Sequence, residues 1–186
     1  MAVHGYVDVP HENYNQWMLN TLGEGYDLDG YYGCQCWDYA SLFWRNVGFP
    51  AGYPLTGPNI SAYECWTVSR NQNAGTQFDL IYDKTLIKTG DIVVLAGTTE
   101  NPAGHIAFAN EDYRGNMMVL LGQNQESTDP SVGSAVSINN INISNFLGAF
   151  RYKAWHQPVP PTPTQNRKSK FKWVLYANKL RKRNGM

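Results

Sequence analysis

The chain has 186 residues, 42% of them hydrophobic and only 16% charged, with a formal net charge of +0. That length allows one domain with a real core plus some extra chain, and a composition rich in Gly, Asn, Tyr and Trp excludes a disordered chain and does not suit a helical bundle. The charge is unevenly spread: residues 1–166 hold 7 basic and 15 acidic residues, while Arg167, Lys168, Lys170, Lys172, Lys179, Arg181, Lys182 and Arg183 crowd the end without an acid.

An acidic domain fits a bound divalent cation and does not suggest nucleic acid. The start, M-A-V-H-G-Y-V-D-V-P-H, has neither a basic lead nor an apolar run, so no signal peptide is expected. No stretch approaches membrane-spanning length. Cys34, Cys36 and Cys65 are odd in number, and Cys34 and Cys36 are too close for an easy bridge, so this is no disulfide scaffold. No Cys/His cluster has zinc spacing.

In chain order, His11 to Leu22 reads as a first helix with Tyr14, Trp17, Met18 and Leu22 on one side, ended by Gly23-Glu24-Gly25. Next comes Y-D-L-D-G-Y-Y-G-C-Q-C-W-D, which carries two kinds of chemistry. Asp27, Asp29, Tyr31, Gly33 and Asp38 fall at positions 1, 3, 5, 7 and 12 of a twelve-residue window. A calcium loop uses carboxylates at the first two of those positions, a carbonyl at the seventh and a bidentate carboxylate at the last. Here Asp38 stands for the usual Glu, Tyr31 offers only its carbonyl, and Tyr32 stands where glycine is usual.

From Cys36 the apolar residues Cys36, Tyr39, Ala40, Phe43 and Val47 mark one face of a second helix, ending near Gly48-Phe49-Pro50. A thiol in a helix's first turn feels the positive end of the dipole, which lowers its pKa and favours thiolate. Free backbone N–H groups beside it can hold an oxyanion. Residues 51–76 read as a groove-shaping surface segment with a short helix around Ala62 to Arg70.

Strands are expected at Phe78–Tyr82, Asp91–Ala96, His105–Asn110, Met117–Asn124, Ala135–Ile143 and Leu147–Trp155. Helices first and consecutive strands after argue an α+β fold, with N-terminal helices packed on an antiparallel sheet. Pro158 to Pro163 form a stiff linker within residues 156–166. The basic, aromatic tail at 167–186 reads as a short amphipathic helix or a solubilising tail.

A cysteine nucleophile needs a base and a group that orients it. Of four histidines, only His105 opens an apolar strand. Pairing 105–110 antiparallel with 117–124 sets Asn124 beside His105, where it can accept from the imidazole.

The ordered set D-x-D-G-x-Y-G-x-Q-C-x-D, G-D-I-V-V, G-H-I-A and G-Q-N-Q resembles the CHAP domains, cysteine, histidine-dependent amidohydrolases/peptidases common in phage endolysins and virion-associated lysins. The resemblance covers roughly residues 10–155, within a catalytic domain set at residues 1–155. It implies a papain-like fold, Cys36 as nucleophile, His105 as base and acid, Asn124 as orienting residue, and Gln35 framing the oxyanion site with the Cys36 N–H. It also implies Ca²⁺ held by Asp27, Asp29, Tyr31, Gly33 and Asp38. Some calcium-dependent phage members carry an acid where this chain has Gly122, so a carboxylate third member is absent here, and Glu126 or a water is a further candidate.

The expected activity is hydrolysis of an amide in bacterial peptidoglycan, in the stem peptide, cross-bridge or muramoyl–L-alanine linkage. The tail would favour anionic cell-envelope polymers. Without a signal peptide, the protein would leave the host cytoplasm with a holin's help or travel in a virion. The competing readings are a non-catalytic, calcium-stabilised wall-binding or virion component on the same fold, an ordinary cysteine protease or transglutaminase-like enzyme on a papain-like core, and nucleic-acid binding by the tail.

Overall fold

Asn13 starts the first helix by accepting the Gln16 backbone N–H on its side chain at 3.0 Å, an N-cap that satisfies one orphan donor. The computed structural model describes residues 2–53, 61–126 and 132–157. Helix α1 runs Tyr14–Thr21 and buries Tyr14, Trp17 and Thr21. Helix α2, Cys36–Asn46, buries nearly its whole middle, Asp38 to Trp44. The expected apolar face is thus the inner part of a helix enclosed on most sides, with Leu42 and Trp44 also in the core. Two short helices follow, α3 at Glu64–Thr67 and α4 at Arg70–Ala74, in place of the one expected there.

Strands β1 (Val3–His4) and β2 (Gly25–Tyr26) pair in parallel. Two-residue strands carry no readable alternation, so the sequence held no sign of them. The main sheet comprises β3 (Phe78–Ile81), β4 (Ile92–Leu95), β5 (His105–Ala109), β6 (Met117–Gly122), β7 (Ser137–Asn142) and β8 (Phe146–Tyr152). Its order is β3-β8-β4-β5-β6-β7, with every pairing antiparallel. The architecture is the α+β one expected, with each strand inside its predicted span or one residue beyond it.

Alternation along the central strands splits the core in two. Ile92, Val94, Ile106 and Phe108 face the helices, while Val93, Leu95, Ala107 and Ala109 join Met118, Leu120, Ile143 and Ala149 on the other side. Aromatic rings make the helix–sheet joint. Phe43 meets Trp17, Phe108, Tyr152 and Trp155 at centroid distances of 5.1, 5.2, 5.3 and 4.7 Å. Tyr39 meets Phe108 at 5.3 Å, so two residues of α2 bear on one residue of β5. That contact sets the helix carrying Cys36 across the strand that His105 opens.

Met1–His156 form one compact unit. From residue 158 the proline-rich linker and the basic tail lie outside the described residues, as does most of the loop that precedes Gly133. Among the described residues no helix is long and apolar enough to cross a membrane.

Candidate active site

Between β2 and α2 the chain turns tightly, with Gly30, Tyr32 and Gly33 at φ of 76°, 61° and 65°. Glycine takes that conformation freely, whereas Tyr32 takes it at a cost. A side chain at Gly33 is excluded, since its Cβ would lie 2.3 Å from the Val132 carbonyl oxygen. Asp27 and Asp29 shape the turn by accepting the Gly30 and Tyr31 N–H groups, each at 2.8 Å. Asp38 accepts the Leu28 N–H at 2.9 Å and the Gln35 N–H at 3.0 Å, so one carboxylate closes the loop and caps α2.

Asp27, Asp29 and Asp38 each offer a carboxylate oxygen, all within 4.8 Å of one another. Among the described residues none of the three pairs with a lysine or arginine. Burial pushes the Asp38 carboxyl up to about 7, with Asp29 and Asp27 adding to the rise against the Leu28 and Gln35 N–H groups. Three converging carboxylates in an all-oxygen loop fit a hard divalent cation. Tyr31 and Gly33 lie in the same loop.

Cys36 is the first residue of α2 and keeps a partly exposed face on a groove of about 240 Å³ that Gln35, Trp37 and Ala103 also line. The thiol differs from the sequence expectation. Burial pushes it up to about 11, against backbone hydrogen bonding from Ile106, Trp37 and Cys36 itself, and the Asp38 charge raises it further. The helix-terminal field is present, but desolvation outweighs it. The Ile106 contact sets the sulfur at the residue directly after His105. His105 lines a second groove, of about 370 Å³, and burial lowers its pKa to about 4. At neutral pH both groups are therefore uncharged. Cys34 and Cys65 are buried and form no disulfide.

Asn124 also differs from expectation. The β5–β6 register, Phe108↔Leu121 and Ala109↔Leu120, would set Asn124 opposite His105 if it continued. Strand β6 stops at Gly122, and Asn124 takes a φ of 55°. Its side-chain nitrogen donates to Gln35 Oε1 at 2.6 Å instead. The group at the imidazole is Gln125, 3.3 Å from His105 Nε2. Gln35 in turn donates from its carboxamide to the Tyr32 carbonyl, so it is tied at both ends beside Cys36. Glu126, the other candidate partner, accepts from Asn139 at 3.1 Å.

The sequence reading assigned no role to Gln123, which is fully buried. Its oxygen accepts the Tyr26 N–H at 2.7 Å, and its nitrogen donates to the Tyr26 and Gln35 carbonyls at 2.9 Å each. The available signal was the polar run Q-N-Q directly after an apolar strand, where buried amides need partners.

A model of the CHAP domain family matches residues 25–124, just over half of the 186 residues. The D-alanyl-L-alanine endopeptidase of Streptococcus phage B30 is 29% identical over 154 residues, 80% of this chain and 32% of that protein. The probable autolysin PH of Staphylococcus aureus is 28% identical over 113 residues, 59% of this chain and 22% of that protein. The chain thus matches a third or less of either curated relative. Among solved structures, wild-type endolysin LysIME-EF1 is similar with a TM-score of 0.55 and 25% identity, covering 93% of this chain and 86% of that one.

Two outcomes are expected. Gln123→Ala removes the side-chain partner of the Tyr26 N–H and C=O and one of the two donors to the Gln35 carbonyl, and should cost on the order of 3 kcal/mol in urea unfolding followed by tryptophan fluorescence; a loss below about 1 kcal/mol would contradict the clamp. Cys36 alkylation by iodoacetamide should keep accelerating with pH through the alkaline range, because the thiol titrates near 11. A rate that levels off below neutral pH would instead show a preformed thiolate–imidazolium pair.

Proposed function

The chain belongs to the CHAP domain family, and from that membership and the site's geometry we propose that it is a peptidoglycan hydrolase that cleaves an amide bond by cysteine–histidine catalysis. What supports this is Cys36 at the first turn of α2 and His105 at the start of β5, the strand on which α2 packs through Tyr39 and Phe43, with each residue lining a groove. The names of the phage endopeptidase, the autolysin and the endolysin support the wall as substrate. The phage relative's name favours a peptide bond over the muramoyl–L-alanine amide.

In this reading the pair starts neutral. His105 takes the thiol proton as the sulfur attacks the amide carbon, and backbone N–H groups at the start of α2 stabilise the oxyanion. Gln35, fixed by Asn124 and Tyr32, frames that position. The C–N bond breaks, the imidazolium protonates the leaving amine, and a thioester to Cys36 remains. His105 then takes a proton from water, which attacks the thioester and releases the acid and the free thiol.

We propose further that Asp27, Asp29 and Asp38, with the Tyr31 and Gly33 carbonyls, hold Ca²⁺. Its contribution would be structural: neutralising three clustered carboxylates and fixing the loop that leads into Cys36.

Wild-type protein should clear suspensions of purified Gram-positive walls. Cys36→Ala should lower the rate at least 10³-fold at an unchanged melting temperature. A lytic Cys36→Ala protein would refute the nucleophile.

The metal proposal has a thermal readout. Without metal, folded Asp38 keeps its proton up to about pH 7, against an ordinary value of 3.8. The folded state then binds more protons than the unfolded one across that window, so metal-free stability falls as pH rises through it. Calcium needs the carboxylates ionised. The melting temperature gained with calcium over EGTA should be larger at pH 8 than at pH 5, and lost in Asp38→Asn. An equal gain at both pH values, or none, would sink the proposal.

A further inference from the structure

The proposed mechanism needs His105 held in one tautomer, yet the residue expected to hold it, Asn124, is engaged with Gln35. The carboxamide that reaches the ring is that of Gln125. Only one orientation of that amide satisfies its surroundings. With Oε1 toward the imidazole it accepts from His105 Nε2 at 3.3 Å, and its nitrogen donates to the Ser137 and Leu120 carbonyls, each at 3.2 Å. The two carbonyls hold the amide in place, so the oxygen is the atom presented to the ring.

Gly122 makes the approach possible. A Cβ there would lie 2.7 Å from the Gln125 amide atom that faces the ring, Oε1 in this orientation, and 2.9 Å from Ala107 Cβ, closer than real Cβ contacts come. A glycine at the end of β6 therefore leaves open the volume that the Gln125 amide fills. Both His105 and Gln125 line the same groove.

We propose that Gln125 is the positioning residue for His105, a neutral carboxamide admitted by the missing side chain at Gly122 and acting in place of a carboxylate. Accepting from Nε2 fixes the proton there and leaves Nδ1 with the lone pair that receives the thiol proton. Being neutral, the amide orients the ring without stabilising imidazolium, which accords with a His105 shift whose cause is burial alone. The inference deepens the hydrolase reading and rests on it for its catalytic meaning, but the contact itself is testable without turnover.

Long-range ¹⁵N–¹H histidine spectra of the full chain should show His105 as the Nε2–H tautomer in the wild type. Gln125→Ala should convert it to a mixture or to Nδ1–H. On wall fragments the same variant should lose about 10²-fold in kcat with KM within about threefold. Gln125→Glu keeps the shape and the acceptor and adds charge. It should retain the Nε2–H tautomer and move the acidic limb of kcat/KM upward by at least about one pH unit. An unchanged His105 spectrum in Gln125→Ala with clearing within threefold of wild type would overturn the assignment, as would an unmoved acidic limb in Gln125→Glu. Wild-type protein that clears no wall would defeat the hydrolase reading instead, and the spectra would still decide whether Gln125 holds His105.

Discussion

One buried carboxamide, that of Gln123, ties the sheet to the helix that carries the thiol. Its three hydrogen bonds all go to backbone atoms, the N–H and C=O of Tyr26 and the C=O of Gln35. No other uncharged side chain except asparagine offers an acceptor and two donors in one plane, and asparagine is a methylene shorter. Tyr26 ends β2 just before the acidic loop, and Gln35 is the N-cap of α2. The end of β6 thus grips the loop and the helix start together. Asn124 and Gln125 extend the same grip, one to the Gln35 side chain and one to His105. Three consecutive polar residues serve three partners because Asn124, in a left-handed conformation, turns the chain out of the strand's two-sided alternation.

The electrostatics of the pair follow from its desolvation by the surrounding protein. A helix N-terminus favours an anion by about 0.3–1 kcal/mol. Moving a thiol from 9.0 to about 11 corresponds to about 3 kcal/mol against the thiolate, so desolvation wins. The same burial holds His105 neutral. Burial thus opposes both charged forms, the Cys36 thiolate and the His105 imidazolium.

Much of this was legible in the sequence, for particular reasons. Strands β4, β5 and β6 are apolar runs bounded by turn residues, and α2 has a clear helical face. The convergence of Asp27, Asp29 and Asp38 followed from spacing alone. Asn124 shows where such reasoning stops: register fixes which residues face each other only while a strand lasts, and β6 ends two residues early. Gln125 was hidden because its contact depends on the room left at Gly122, a property of packing. The thiol's direction of shift was missed because sequence spacing reveals a helix terminus but not the depth at which it sits. The β1–β2 pair was missed because two residues have no period.

Asp38 joins the two halves of the site and sets their conflict. As the third residue of α2 it caps the helix through the Gln35 N–H, in a position where the dipole favours its charge. Through the Leu28 N–H it closes the acidic loop. The same charge raises the Cys36 thiol, and the neighbouring Asp27 and Asp29 make Asp38 itself harder to ionise. In the metal-free chain, then, the carboxylate that best orders the entry to Cys36 also opposes the thiolate. Protonating Asp38 relieves that opposition only by leaving its carboxyl a weaker acceptor for Leu28 and Gln35. Loop order and thiol acidity are thus coupled through one buried carboxyl, and the sheet's separate hold on Gln35 through Gln123 and Asn124 does not depend on that carboxyl's charge.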